Sequence, residues 1–279
     1  MKFGLGCLLA VAAAIATAAT PGAVTYFDVA SGSHPHDVAA APAPNGPVYF
    51  TAQMTGRLGI LDPATRRVME VPLGAGSAPH GVVVGPDGAP WITDAGLNAI
   101  VRVDPMTHAV SRWPLPASAA HANLNTATFD RQGRLWFTGQ SGYYGRLDPA
   151  SGSMQVWRAP GGSGPYGMTT TPAGDVYFAS LAGNYIARID AQTGAATVLR
   201  PPTAKQGARR VWADSKGAVW VSYWSTGQIG RYDPAQVYVE PQTSAPATQF
   251  YCPDSGYYPA VKTCPQGWLR VVPDAPAPQ

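Results

Sequence analysis

Two of the chain's five histidines stand in matching local settings, His34-Pro35-His36-Asp37-Val38 and Ala78-Pro79-His80-Gly81-Val82. The same register recurs without imidazole at Asn125, at Tyr166 in Gly164-Pro165-Tyr166-Gly167-Met168, and at Arg209. Polar groups thus occupy a position where the repeat elsewhere prefers apolar ones. Imidazole changes its charge near neutral pH, so two of them on neighbouring repeats, converging on a solvated channel, can act as acid and base or share a metal ion. Rim histidines satisfied by local partners fit the same spacing, and spacing alone leaves both readings open.

The elements that must position these residues are legible from self-alignment. An aromatic residue recurs at Tyr49, Trp91, Trp136, Tyr177 and Trp220, at intervals of 42, 45, 41 and 43 residues. An aspartate keeps step at Asp62, Asp104, Asp148, Asp190 and Asp233, and all but Asp190 precede proline. A period of about 40 to 45 residues is that of propeller blades. Within the second unit, Gly81 to Val84 reads as a strand, Pro86-Asp87-Gly88 as a turn, and Pro90 to Thr93 as a strand centred on Trp91. Asn98 to Val103 and Ala109 to Leu115 supply two more. Four strands in that length leave no room for a crossover helix, so neighbours pair as antiparallel hairpins.

A small sheet with two apolar faces cannot bury both alone, and radial stacking solves that problem. The fold expected is therefore all-β, a β-propeller with five recognisable blades. The recurring aromatics are read as packing between blades in preference to ligand stacking, and the Asp-Pro pairs as turns whose carboxylates accept backbone N–H groups. Arg102, Arg146, Arg188 and Arg231, two residues before those aspartates, are read as structural partners at the blade edge. Val24 to Val29 resembles an outer strand and is expected to complete the last blade, whose own fourth strand, Gln236 to Glu240, is degraded. A seven-bladed relative cut short is the competing picture.

Composition fits this picture. The 31 glycines and 28 prolines are too many for a helical protein, and 13% charged residues too few for a disordered one. With 19 basic and 16 acidic side chains, scattered and without a basic run, nucleic acid is not an expected partner. Residues 1–23 read as an export signal: Lys2, an apolar run from Leu8 to Ala19 broken only by Thr17, and small residues at Ala16-Thr17-Ala18. That run is too short to span a membrane, so the expectation is a periplasmic or secreted monomer. Cys7 lies too early for a lipoprotein box and leaves with the signal. Cys252 and Cys264 remain and are expected to pair, closing an aromatic loop in a segment, 241–279, that breaks the period of the 24–240 propeller.

The Pro-His-Gly-Val, Asp-Gly, Trp-Ile-Thr-Asp and Ile-Val-Arg-Val-Asp elements resemble those of the streptogramin lyases, the virginiamycin B lyase family, from Val24 to about Pro234. The resemblance implies a seven-bladed propeller that binds Mg²⁺ and opens a cyclic depsipeptide at its ester by eliminating the carboxylate, without water. It also implies histidines in Pro-His motifs on adjacent blades and a glutamate after the second-strand aromatic pair. His36 and His80 match the motifs, at the start of the chain instead of its end. Asp94 stands where the glutamate would, whereas the other blades offer Gln53, Gly139, Ser180 and Tyr223. Carried over, Asp94 holds the metal, His80 is the base, and His36 positions substrate or shares the metal.

Asn125, Tyr166 and Arg209 then line the channel rim for a small-molecule or peptide ligand. Two blades of the family pattern are missing, so a non-catalytic propeller binding a peptide, glycan or envelope partner is the alternative. Convergence of His36, His80 and Asp94 within about 5 Å of one point separates the two, given the short oxygen ligation of Mg²⁺. A calcium-dependent lactonase is the weaker third reading, for want of a ring of Glu, Asp and Asn.

Overall fold

A computed structural model of the chain describes residues 24–234 and three short strands further on, between 249 and 271. The first sheet holds β1 (Pro35–Ala40), β2 (Val48–Ala52), β3 (Arg57–Asp62) and β4 (Arg67–Pro72); the second β5 (Pro79–Val84), β6 (Pro90–Asp94), β7 (Ala99–Val103) and β8 (Val110–Pro114). The third is β9 (Leu124–Phe129), β10 (Leu135–Gly139), β11 (Tyr143–Leu147) and β12 (Met154–Arg158). The fourth is β13 (Pro165–Thr170), β14 (Val176–Ser180), β15 (Tyr185–Ile189) and β16 (Ala196–Leu199). A three-stranded sheet follows, of β17 (Ala208–Ala213), β18 (Val219–Tyr223) and β19 (Gln228–Tyr232). All pairings are antiparallel, and β1, β5, β9, β13 and β17 lie side by side in that order at the inner edge. The last strands, β20 (Gln249–Cys252), β21 (Gly256–Tyr257) and β22 (Leu269–Val271), form a separate sheet with β20 in the middle.

Four apolar clusters, each built across two consecutive sheets, fill the spaces between blades. The recurring aromatics sit in them: Tyr49 faces the second blade, Trp91 the third, Trp136 the fourth and Tyr177 the fifth, all at most 3% exposed. Burying side chains of this size contributes about 3 kcal/mol each, which makes the aromatic register the main inter-blade adhesive. Trp91 and Trp136 also donate from Nε1 to Asp87 and Asp130 in the turns before them. The periodic aspartates behave as turn chemistry requires: Asp62, Asp104 and Asp190 each accept two backbone N–H groups, and Asp148 accepts one. Of the arginines before them, Arg102 and Arg188 reach back to Asp87 and Asp175, Arg231 pairs with Asp233, and Arg146 lies over Trp136.

Closure by the N-terminus is the expectation that needs correcting. Residues 24–30 form no strand, and among the described residues nothing pairs with the outer side of β19. The segment is held on the first blade instead, where Arg66 donates to the Tyr26 carbonyl at 3.0 Å and lies over the Phe27 ring. The export signal, the strand expected at Gln236 to Glu240 and Cys264 lie outside the described residues.

Candidate functional site

Each innermost strand begins with a bulge, between Pro35 and Val38 in β1, Pro79 and Gly81 in β5, and Pro165 and Met168 in β13. A regular strand sends successive side chains to opposite faces, and a bulge re-aims one of them. His36 and Asp37 therefore both serve the site: His36 Nδ1 lies 3.0 Å from Asp37 Oδ1. The His36 and His80 rings approach to 3.9 Å between centroids. One donor atom from each of His36, Asp37 and His80 lies within 4.8 Å of the others, a spacing that a cation could bridge with slight contraction.

The strands carrying these groups are tied by a row of threonines. Asp37 N–H donates to Thr51 Oγ1 at 3.0 Å, and Thr51 donates to the His80 carbonyl at 2.8 Å. Thr93 takes the Gly81 N–H and donates to the Asn125 carbonyl, and Thr138 takes the Thr126 N–H and donates to that of Tyr166. Each hydroxyl links its own blade's inner strand to the next. The close approach also explains Gly81, where a Cβ would lie 2.5 Å from the Asn125 carbonyl oxygen.

Asn125 donates from Nδ2 to His80 Nε2 at 3.2 Å, and its own carbonyl accepts from Thr126 Oγ1. The Nδ1 atom of His80 is buried without a hydrogen-bond partner. Burial, followed by the neighbouring His36, pulls the His80 pKa down from 6.5 to about 4, so the ring is neutral at pH 7. Tyr166 and Arg209 meet each other: Arg209 donates to the Tyr166 hydroxyl at 3.0 Å, and its guanidinium lies over both the Tyr166 and Trp224 rings. A cavity of about 430 Å³ adjoins Asp37, lined also by Gly81, Thr126, Arg210 and Trp212.

Asp94 is not brought to the imidazoles. Fully buried, it accepts from Ser77 Oγ at 2.5 Å and from the backbone N–H groups of Ala78 and Leu97 at 2.9 Å, which makes it the organiser of the loop before β5. The carboxylate beside the histidines is Asp37, which sequence reasoning passed over although it follows His36 directly. The proline that opens β1, β5 and β13 stands at the start of the bulge in each. The threonine row was within reach, since Thr51, Thr93 and Thr138 keep the period of the aromatics two residues before them.

Comparison with known proteins agrees with this architecture. A search of curated proteins finds no match. Among solved structures, a catalytically inactive histidine-to-alanine variant of virginiamycin B lyase from Staphylococcus aureus, with quinupristin, is 26% identical; the match has a TM-score of 0.67 and covers 78% of this chain and 76% of that one. A streptogramin B lyase is 23% identical, with a TM-score of 0.64 and coverages of 74% and 71%. Regucalcin from Agrobacterium tumefaciens, described as a calcium-binding protein, is similar in fold alone, at 22% identity and a TM-score of 0.55 over 72% of each chain. The sequence model described as the virginiamycin B lyase family matches residues 6–261, and the chain belongs to that family.

Proposed function

We propose that this protein is an exported carbon–oxygen lyase that opens a cyclic depsipeptide at its ester by elimination. The observation that carries the reading is the His36–His80 pair, 3.9 Å apart at the inner edge of adjacent blades with Asp37 against it. In the reaction a base removes the Cα proton of the residue whose side-chain oxygen makes the ester. The electron pair becomes a Cα=Cβ double bond, the Cβ–O bond breaks, and the carboxylate leaves with the negative charge. No water is consumed.

The geometry favours exchanging the roles the family resemblance implies. His36 is partly exposed and oriented by Asp37 through Nδ1, which leaves Nε2 to take the proton. His80 is neutral at pH 7, the state in which an imidazole can ligate a cation, and its unprotonated nitrogen is Nε2, where Asn125 now donates. Asp37 spends Oδ1 on His36, and Oδ2 faces β5, where it lies 3.5 Å from a Cβ built on Gly81. Asp37 and His80 would therefore hold a divalent cation, Mg²⁺ by family resemblance, with the carboxylate as the hard donor such an ion requires. When bound, the cation supplies Lewis acidity to the ester carbonyl.

The test is ring opening of a streptogramin B in oxygen-labelled water. Elimination gives a linear product without label, and His36→Ala and His80→Ala each lower kcat/KM by roughly 10²–10⁴-fold. Wild-type turnover that both variants retain rules the assignment out. A second reading, a non-catalytic propeller binding a peptide or glycan, is favoured by Arg209, which Tyr166 and Trp224 hold rigid at the rim. It predicts saturable binding that Arg209→Ala weakens, with no ring opening by the wild type.

A further inference from the structure

The fifth occurrence of the aromatic register differs from the other four. Tyr49, Trp91, Trp136 and Tyr177 are each covered by the following blade, but Trp220 remains 40% exposed. Strand pairing sets Trp212 opposite Trp220, Trp220 opposite Arg231, and both Arg210 and Ile229 opposite Ser222, so one flank of the last sheet presents Trp212, Trp220 and Ile229 together, with the Arg231 guanidinium lying over the Trp220 ring. Trp212 is 65% exposed and Ile229 69%. The opposite flank, with Val211, Val219 and Val221, is buried against the fourth blade. An apolar face that large on a sheet made to be sandwiched calls for a cover.

The chain carries one. From Trp220 to Trp268 is 48 residues, close to one repeat, and each tryptophan follows a glycine, Gly217 three residues before Trp220 and Gly267 directly before Trp268. This stretch ends in the antiparallel sheet of β21, β20 and β22, too small to be stable without a packing partner. Its sequence from Gln249 to Val271 contains Phe250, Tyr251, Tyr257, Tyr258, Trp268 and Leu269 but only Asp254, Lys262 and Arg270 as charges. The residues between Pro234 and Gln249 reach about 45 Å when extended, several times the spacing of about 10 Å between packed sheets. We propose that the β20–β22 sheet docks on the Trp212, Trp220 and Ile229 flank as a degenerate sixth blade of the same chain.

Hydroxyl-radical footprinting of the full-length protein, read by mass spectrometry and paired with sedimentation velocity, tests this. In a monomer, Trp212 and Trp220 should oxidise about tenfold more slowly than the exposed Trp224. In Trp220→Lys and Ile229→Lys, Trp212 should lose that protection and amide exchange across residues 249–271 should speed up. Wild-type Trp212 and Trp220 oxidised as fast as Trp224 overturns the proposal. So does protection found only in a dimer, which makes a second copy the cover, and so does exchange in 249–271 that neither variant changes.

Discussion

The Asn125 amide donates to His80 Nε2 at 3.2 Å, and Thr126 Oγ1 fixes the amide's orientation by donating to its carbonyl. His80 Nε2 is thereby the acceptor, and any proton on the neutral ring sits at Nδ1. Replacing the amide by a carboxylate reverses the preference. In Asn125→Asp the new charge favours the imidazolium and the Nε2–H tautomer, so the His80 pKa should rise from about 4 toward its ordinary value. An NMR titration of the His80 ring protons checks this, and an unmoved midpoint would show that Asn125 does not govern the ring.

The two aspartates near the site separate by function. Asp37 stands against the imidazoles, whereas Asp94 is spent on Ser77, Ala78 and Leu97. On the proposed cation site, Mg²⁺ or Mn²⁺ should raise the Tm of the wild type, and Asp37→Asn should abolish that rise while changing the cation-free Tm little. Asp94→Asn strands buried donors and should cost about 1–3 kcal/mol of stability, with the cation-induced shift intact. Thermal melts with and without each ion distinguish the pair, and loss of the shift in Asp94→Asn alone would reverse the assignment.

How much of this was legible in the sequence follows from which contacts are periodic. The aromatics and Asp-Pro turns recur because every blade repeats the same packing problem, and that made the sheets readable. Asp37 was hidden because its equivalents Gly81, Gly167 and Arg210 carry no carboxylate, and because strict alternation, without the bulge, would have sent it away from His36. Asp94 misled because it follows the periodic Trp91-Ile92-Thr93, although Ser77 and the loop backbone claim its carboxylate. The N-terminal segment resembles a strand in composition, but the structure leaves it out of the last sheet and in contact with Arg66.

Thr93 should matter to the site without touching substrate. Its hydroxyl is fully buried and joins the Gly81 N–H to the Asn125 carbonyl, bridging the strands that carry His80 and its amide partner. Thr93→Val keeps the shape and leaves both groups unsatisfied, at a cost of about 1–3 kcal/mol. Denaturant unfolding should show a lower midpoint, and Thr93→Ser should recover most of the loss. Equal stability of Val and Ser variants would mean that the methyl group, not the hydroxyl, is what the position needs.

The depressed pKa of His80 also sets a pH dependence of stability in the cation-free protein. Unfolded, the ring protonates near 6.5; folded, burial and the neighbouring His36 delay protonation to about 4. Between those values the unfolded chain binds more protons than the native one, so stability rises with pH across the window. His80 therefore contributes its full share above pH 6.5, and that share is lost progressively as the pH falls toward 4. Urea unfolding in the presence of a chelator, repeated at intervals from pH 7.5 to 4, should give a slope approaching one proton near pH 5. His80→Gln, which does not titrate, should remove that component and leave the contribution of the carboxylates. A wild-type slope that His80→Gln reproduces unchanged would show that the ring titrates alike in the folded and unfolded chain, and the depressed pKa would have to be given up.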